Sequence, residues 1–345
     1  MSDSRFVFLV CQVDTEPSIK RWIAARIPSA RFAFSRPGLL TYKLTDDSVE
    51  TLSAFGQLPL IRTYGLGLGS FAGDRDELVA RLRQSREARE ARLWHLWRRD
   101  RARVGEFDFE PFADPALADQ ALELARDAGI DPLPRCNQVA ERGEAVFDLI
   151  AVDEGKWLLG THVASSPSSC WVGGVPPLER RDVVSRAYYK LAEALRWSEL
   201  PIRVGDLALE IGSAPGGACQ ILLELGLKVI GVDPAAMDRR VLDHPNFEHV
   251  RMRSRDLQQR RLSRVAWLFC DANLVPEAVL DELEPLATSR HLNLRGAVLT
   301  LKMPSWERFD RLDDYVARIT SWGWRRVRVR HRAFDRQELA VVAER

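Results

Sequence analysis

The amino-acid sequence predicts an α/β fold: a doubly wound, mostly parallel sheet in the C-terminal half of the chain, preceded by smaller α+β modules. Three observations carry this expectation. From Pro176-Pro177 onward the hydrophobic pattern alternates between strand and helix periods, the mark of a parallel sheet covered by helices. An apolar run over 207–211 enters the glycine-rich turn Gly212-Ser213-Ala214-Pro215-Gly216-Gly217, which opens a short helix, and the next run, 227–232, ends on Asp233. Two strand patterns, 324–331 and 338–343, follow the last helix, 305–322, and imply an antiparallel hairpin at the sheet edge.

The remaining elements divide the chain into three units. Residues 1–72 read as a small α+β module, with a strand over 5–13, an amphipathic helix over 16–27 and strand-like stretches at 31–34 and 39–44. Residues 73–168 read as a second one. It opens with a long arginine-rich helix over 75–103, continues with a helix over 115–128, and closes with alternating segments 145–152 and 156–164 joined at Asp153-Glu154-Gly155 as a hairpin turn. Residues 169–345 form the α/β domain. A helix over 181–197 feeds its glycine-rich strand, and further strands are expected at 248–251, 266–271 and 297–302.

Composition narrows the function classes. A hydrophobic content of 46% supports real cores, and a net charge of +1 gives no whole-chain attraction to nucleic acid, so only the distribution of charge is informative. With no signal peptide and no apolar run of membrane-spanning length, a cytoplasmic protein without a membrane partner is expected. The five cysteines are scattered without metal-ligand spacing, which implies buried, reduced thiols and no metal site. Of 50 basic residues only six are lysine: Lys20, Lys43, Lys156, Lys190, Lys228 and Lys302. Lysine can lose its proton in a buried or cationic site, whereas arginine effectively cannot.

The glycine-rich turn selects a ligand. A dinucleotide fingerprint places a glycine where the backbone closes on a pyrophosphate. Here that position is Ala214, followed by Pro215, which has no N–H to donate. Together with the terminal hairpin, this argues against a nicotinamide-linked dehydrogenase. Gly212, Gly216 and Gly217 still allow close backbone approach, and Asp233 can accept both hydroxyls of a ribose; the combination suits S-adenosyl-L-methionine, an adenosine without phosphate. Ligands of open α/β sheets bind beyond the carboxyl ends of the strands. There the predicted strands end on Asp271 and Lys302, with Lys190 on the preceding helix and Glu338 on the terminal hairpin.

Five segments occur in an order and spacing that resemble the FtsJ-like ribose 2'-O-methyltransferases: 185–191 (Ser-Arg-Ala-Tyr-Tyr-Lys-Leu), 212–217, Cys270-Asp271, Leu301-Lys302-Met303-Pro304 and 334–341. The resemblance covers about residues 174–345. It is nearest to the members that modify a cytidine of large-subunit (23S) ribosomal RNA and carry ferredoxin-like and THUMP-like modules ahead of a Rossmann-like class I methyltransferase domain. It implies a catalytic tetrad of Lys190, Asp271, Lys302 and Glu338. Cofactor contacts are implied at Glu210, Gly212, Ser213, Ala214, Pro215, Gly216, Gly217, Asp233, Asp256 and Asp271. Glu210 stands where the family usually has aspartate, and Ala218 where it often has tryptophan.

A ribose hydroxyl is a poor nucleophile near neutral pH, so a base must take its proton. Lys302 is the expected base: Lys190 and partial burial are expected to push it toward its neutral form, with Asp271 and Glu338 limiting that shift. RNA is the expected partner, through arginine clusters at Arg81 to Arg103, at 251–264 and at 325–332. The first is interleaved with Trp94 and Trp97, a composition that suits phosphates and unstacked bases. The alternative is an RNA-binding protein that keeps the fold but has lost catalysis; intact lysines at 190 and 302 argue against it.

Overall fold

The computed structural model describes residues 5–45, 48–101 and 112–345. They fall into two compact units, Met1–Glu179 and Arg180–Arg345.

The first unit is built on an eight-stranded sheet. Its elements are β1 (Arg5–Cys11), α1 (Glu16–Arg26), β2 (Ala30–Arg36), β3 (Leu39–Leu44), α2 (Val49–Gly56), β4 (Ile61–Ala72), α3 (Arg75–Gln84), α4 (Arg86–Glu90), β5 (Leu93–Arg98), α5 (Pro115–Asp127), β6 (Arg135–Cys136), β7 (Ala145–Asp153) and β8 (Lys156–Val163). The strand order is β2-β3-β1-β4-β8-β7-β5-β6, so strands of both predicted N-terminal modules share one sheet. β7 and β8 form the predicted hairpin. β4 had no sequence signal because Gly65, Gly67 and Gly69 interrupt its alternation. Gly65 has a packing reason, shared with Gly160 of β8: a Cβ on either would stand 2.7 or 2.5 Å from the ring of Phe8, which lies across both strands.

The long helix expected over 75–103 is not formed. Ser85 is extended (φ −71°, ψ 122°), ends α3 and caps α4 by accepting from the Ala88 N–H at 3.1 Å. The chain then enters β5, whose residues Leu93 to Trp97 are all buried. β5 pairs in parallel with β7, so both its faces are covered and it reads as an unbroken apolar run. Trp94 and Trp97 therefore lie in the core, their indole N–H groups donating to Ala88 O (3.1 Å) and Asp148 Oδ1 (3.2 Å). They are not base-stacking partners of the surface arginines, and Arg103 lies outside the described residues.

A buried charge pair ties β7 to β8. His162 Nδ1 stands 2.5 Å from Asp148 Oδ2, and Nε2 is 2.8 Å from Ser169 O. Both partners are acceptors, so both ring nitrogens donate and the ring is an imidazolium. Burial disfavours that cation, but Asp148 outweighs it and raises the His162 pKa. The sign follows: the stabilisation is complete below the unfolded histidine value of about 6.5 and is lost as pH rises through the folded value. Changing His162 to alanine is expected to cost about 3 kcal/mol at pH 6, because Asp148 loses its counter-charge. Urea unfolding of the two proteins should show the difference shrinking as pH rises; a constant difference would mean that the ring is neutral.

The second unit comprises α6 (Ala187–Ser198), β9 (Leu207–Ile211), α7 (Gly217–Glu224), β10 (Lys228–Val232), α8 (Arg239–Leu242), β11 (Phe247–Val250), β12 (Val265–Cys270), α9 (Pro276–Ala287), β13 (Gly296–Lys302), α10 (Leu312–Thr320), β14 (Arg326–Arg330) and β15 (Glu338–Glu344). Its seven-stranded sheet has the order β11-β10-β9-β12-β13-β15-β14. β9 to β13 are parallel; β15 is antiparallel to both β13 and β14, so the final strand enters the sheet and β14 forms the edge. The helix expected over 181–197 starts only at Ala187, and that expected over 305–322 is a 3-10 turn (Trp306–Arg311) followed by α10. Among the described residues no helix is long and apolar enough to cross a membrane.

Candidate active site

β12 ends at Cys270, so Asp271 is the first residue beyond it; β13 ends on Lys302; β15 begins with Glu338. In the antiparallel pairing of β13 and β15, Lys302 stands directly opposite Glu338. Opposed residues share a sheet face, and a slip of one residue would turn the pair away from it. Lys190 comes from the first turn of α6.

These four side chains form an alternating ring of charge. Lys302 Nζ lies 2.7 Å from Glu338 Oε1 and 3.4 Å from Asp271 Oδ1. Lys190 Nζ lies 2.5 Å from Glu338 Oε2 and 3.6 Å from Asp271 Oδ2. Each carboxylate thus bridges both ammonium groups. Glu338 is only 12% exposed; burial opposes its charge, but Lys190 and Lys302 outweigh burial and hold its carboxyl well below the usual range.

At Lys302 the structure corrects the expectation. Burial does lower its pKa, but the two carboxylates raise it more, and the net shift is upward. Lys190 is not what decides the balance, because both acids lie between the two lysines. Held between the two carboxylates, Lys302 is therefore an ammonium.

Beneath the ring lies a buried support absent from the predicted site. Arg332 is 1% exposed and pairs with Asp335 (Nε to Oδ2, 2.9 Å). It also donates to Lys190 O (3.0 Å) on α6 and Thr300 Oγ1 (3.2 Å) on β13. Glu193, fully buried on α6, accepts the N–H groups of Ala333 (2.8 Å) and Phe334 (3.0 Å), and burial pushes its pKa up to about 7. Together these contacts tie the loop before Glu338 to the helix that carries Lys190. The arginine run at 325–332 is thus partly internal, since Arg330 and Arg332 are both buried.

The turn after β9 is a cradle built around glycines. Gly212 has φ +76°, and a Cβ there would stand 2.8 Å from Ala272 Cα; Gly216 has φ +119° and would meet Val241 Cγ2 at 2.9 Å. A Cβ on Gly217 would lie 2.8 Å from Ser185 O. Ala214 and Pro215 continue the turn, and Ser213 is buried beneath it, its hydroxyl 3.7 Å from Met237 Sδ. Asp233, just past β10, closes the cradle: its carboxylate accepts the N–H groups of Ala214 (3.2 Å) and Ala235 (2.8 Å). A carboxylate has about four lone-pair sites, so acceptor capacity remains. Glu210 is 1% exposed on β9 and accepts from Cys219 Sγ at 3.0 Å; burial, then Asp271 and Asp233, push its pKa up to about 8. Glu210, Lys190 and Asp271 line one small cavity with Arg332, which brings the cradle strand and the charge ring together. Asp256, by contrast, is exposed in a 3-10 turn (Ser254–Asp256) after β11.

The strand order, with an antiparallel seventh strand inserted between the fifth and sixth, and a glycine cradle without a pyrophosphate turn, define a Rossmann-like domain of the methyltransferase class. Residues 183–304 match the FtsJ-like methyltransferase family model. Two curated relatives, both called ribosomal RNA large subunit methyltransferase M, come from Halorhodospira halophila and Alkalilimnicola ehrlichii. The first is 29% identical over 184 residues, covering 52% of this chain and 52% of the relative; the second is 30% identical over 188 residues, covering 50% and 49%. The matched part thus spans about half the length of these relatives. Among solved structures, Aeropyrum pernix fibrillarin with bound S-adenosyl-L-methionine aligns at a TM-score of 0.36 and 20% identity, over 56% of this chain and 92% of that one.

Proposed function

We propose that the protein is an S-adenosyl-L-methionine-dependent ribose 2'-O-methyltransferase acting on large-subunit ribosomal RNA. The observation that carries this reading is the ring of Lys190, Asp271, Lys302 and Glu338 at the strand ends beside the glycine cradle. The family match and the names of the two relatives support it.

The residues present fit the cofactor. Asp233 offers acceptors for ribose hydroxyls, Glu210 and Asp271 offer carboxyl groups to cationic parts of a ligand, and the turn itself, with Gly212 at φ +76° and Gly216 at φ +119°, has a backbone shape that glycine adopts without strain. S-adenosyl-L-methionine, when bound, supplies an electrophilic methyl on a positive sulfonium. Lys302 is the group placed to take the 2'-hydroxyl proton, and must first lose its own. A cation or hydroxyl donor that engages Asp271 or Glu338 weakens their pull on Lys302 and favours that loss. Lys190 and Glu338 hold the acceptor ribose, and Asp271 fixes Lys302 in the ring.

Purified protein incubated with S-adenosyl-L-methionine and ribosomal RNA lacking its methyl marks is expected to generate one new 2'-O-methyl nucleoside, read by mass spectrometry after digestion. Cofactor and RNA binding without any methylated nucleoside would instead favour a binding protein that has lost catalysis.

A further inference from the structure

The tryptophans that made residues 81–103 look like an RNA surface are core residues, and a different surface has the chemistry expected there. On the sheet of the first unit, Phe6, Lys43 and Arg31 face the same way, because Phe6 stands opposite Lys43 across β1 and β3, and Lys43 opposite Arg31 across β3 and β2. One step along the strands Phe34 stands opposite Thr41, and one further Arg36 stands opposite Leu39. Phe6 and Phe34 are 39% and 40% exposed, large rings partly left to solvent, whereas Phe8, Val10, Leu39 and Thr41 on the same face are buried. They line one trough, with Lys156 of β8 and Arg36 at its rim. Between them β4 contributes Gly67 and Gly69, which add no bulk. The guanidinium of Arg36 lies 4.6 Å from the Phe34 ring centroid, extending its stacking surface with a charged plane.

Among the described residues the charge on this face is mainly positive: Asp153, the acid lining the trough, pairs with Arg99 at 2.8 Å and with Arg36 at 3.5 Å, so the cations in excess are Arg31, Lys43 and Lys156. Exposed rings two strands apart, about 10 Å, within a rim of cations match unpaired bases on a phosphate chain, since every base has a face to stack and backbone charge needs counter-charge. A plain apolar partner would leave these cations unmatched. We propose that the trough on this face of β2, β3, β1 and β4 binds single-stranded RNA, with bases stacked on Phe6 and Phe34 and phosphates running along Arg31, Lys43 and Lys156. The proposal rests on RNA as the substrate class.

The test uses the full chain and a fluorescent ten-nucleotide single-stranded RNA, titrated at several salt concentrations. Phe6→Ala/Phe34→Ala is expected to weaken binding at least tenfold at fixed salt with the salt slope unchanged, whereas Phe34→Trp should retain it. Lys43→Ala/Lys156→Ala is expected to lower the log–log salt slope by about 1.4, from about 0.7 per phosphate contact on single strands. Normal binding by the phenylalanine double variant would overturn the proposal. So would loss of self-association in that variant with RNA binding intact, which would assign the face to a second copy of the chain. Methylation of ribosomal RNA, measured in parallel, separates the two readings: methylation with unchanged RNA binding in the variants removes only the face, while absence of RNA binding by the unsubstituted protein removes both.

Discussion

Changing Lys302 to alanine is expected to lower methyl transfer by roughly 10²- to 10⁴-fold, the range ascribed to a positioned proton acceptor, while cofactor affinity moves less than threefold. The separation follows from geometry: Lys302 contacts the carboxylates of Asp271 and Glu338 and is not part of the glycine cradle. Arginine at this position should be equally inactive, because it keeps its proton and its planar fork cannot reproduce a point contact between two acids. The pH dependence gives an independent check. Asp271 and Glu338 raise the Lys302 pKa above its ordinary value, so the proton-free form becomes more abundant with every unit of pH across the neutral and mildly alkaline range. Single-turnover rates should therefore climb about tenfold per pH unit from pH 7 upward, unless the bound substrates lower that pKa into the range, in which case the profile bends at the new value. A rate independent of pH from 6 to 10 would exclude Lys302 as the proton acceptor.

The ring was legible in the sequence because each member marks the end of an apolar run or sits at a fixed place in a motif, and the topology of parallel strands delivers such ends to one rim. Its electrostatics were not legible. Whether a lysine between two acids and near a second lysine gains or loses proton affinity depends on which charges interpose, and only the distances show that both acids lie between the cations. Arg332 escaped notice for a different reason. It sits in a run of arginines that resembles a nucleic-acid surface, and nothing local marks it as 1% exposed beneath Lys190. β5 reads as helix because arginines and alanines favour helix over the stretch before it, while its own buried run has no period to read. β4 has no signal because three glycines, of which Gly65 admits Phe8, erase the alternation by which strands are recognised.

The second large effect concerns Glu210. Burial raises its pKa to about 8 in the free protein, so at pH 6.5 the carboxyl is protonated. The sign for stability follows: the folded state binds a proton that the unfolded state has lost between about pH 4.5 and 8, so stability falls as pH rises through that window, by on the order of 5 kcal/mol. Changing Glu210 to glutamine should flatten this fall. If Glu210 faces a cationic part of the cofactor, as its place beside Asp271 in the cavity implies, the bound state favours the ionised carboxylate. Binding at pH 6.5 should then release close to one proton, measurable by calorimetry in buffers of different ionisation enthalpy, and affinity should strengthen by up to tenfold per unit as pH approaches 8. The glutamine variant should release none and bind at least tenfold more weakly at pH 8. Proton release equal in both proteins would show that Glu210 stays neutral in the complex, a buried hydrogen-bonding group and not a counter-charge.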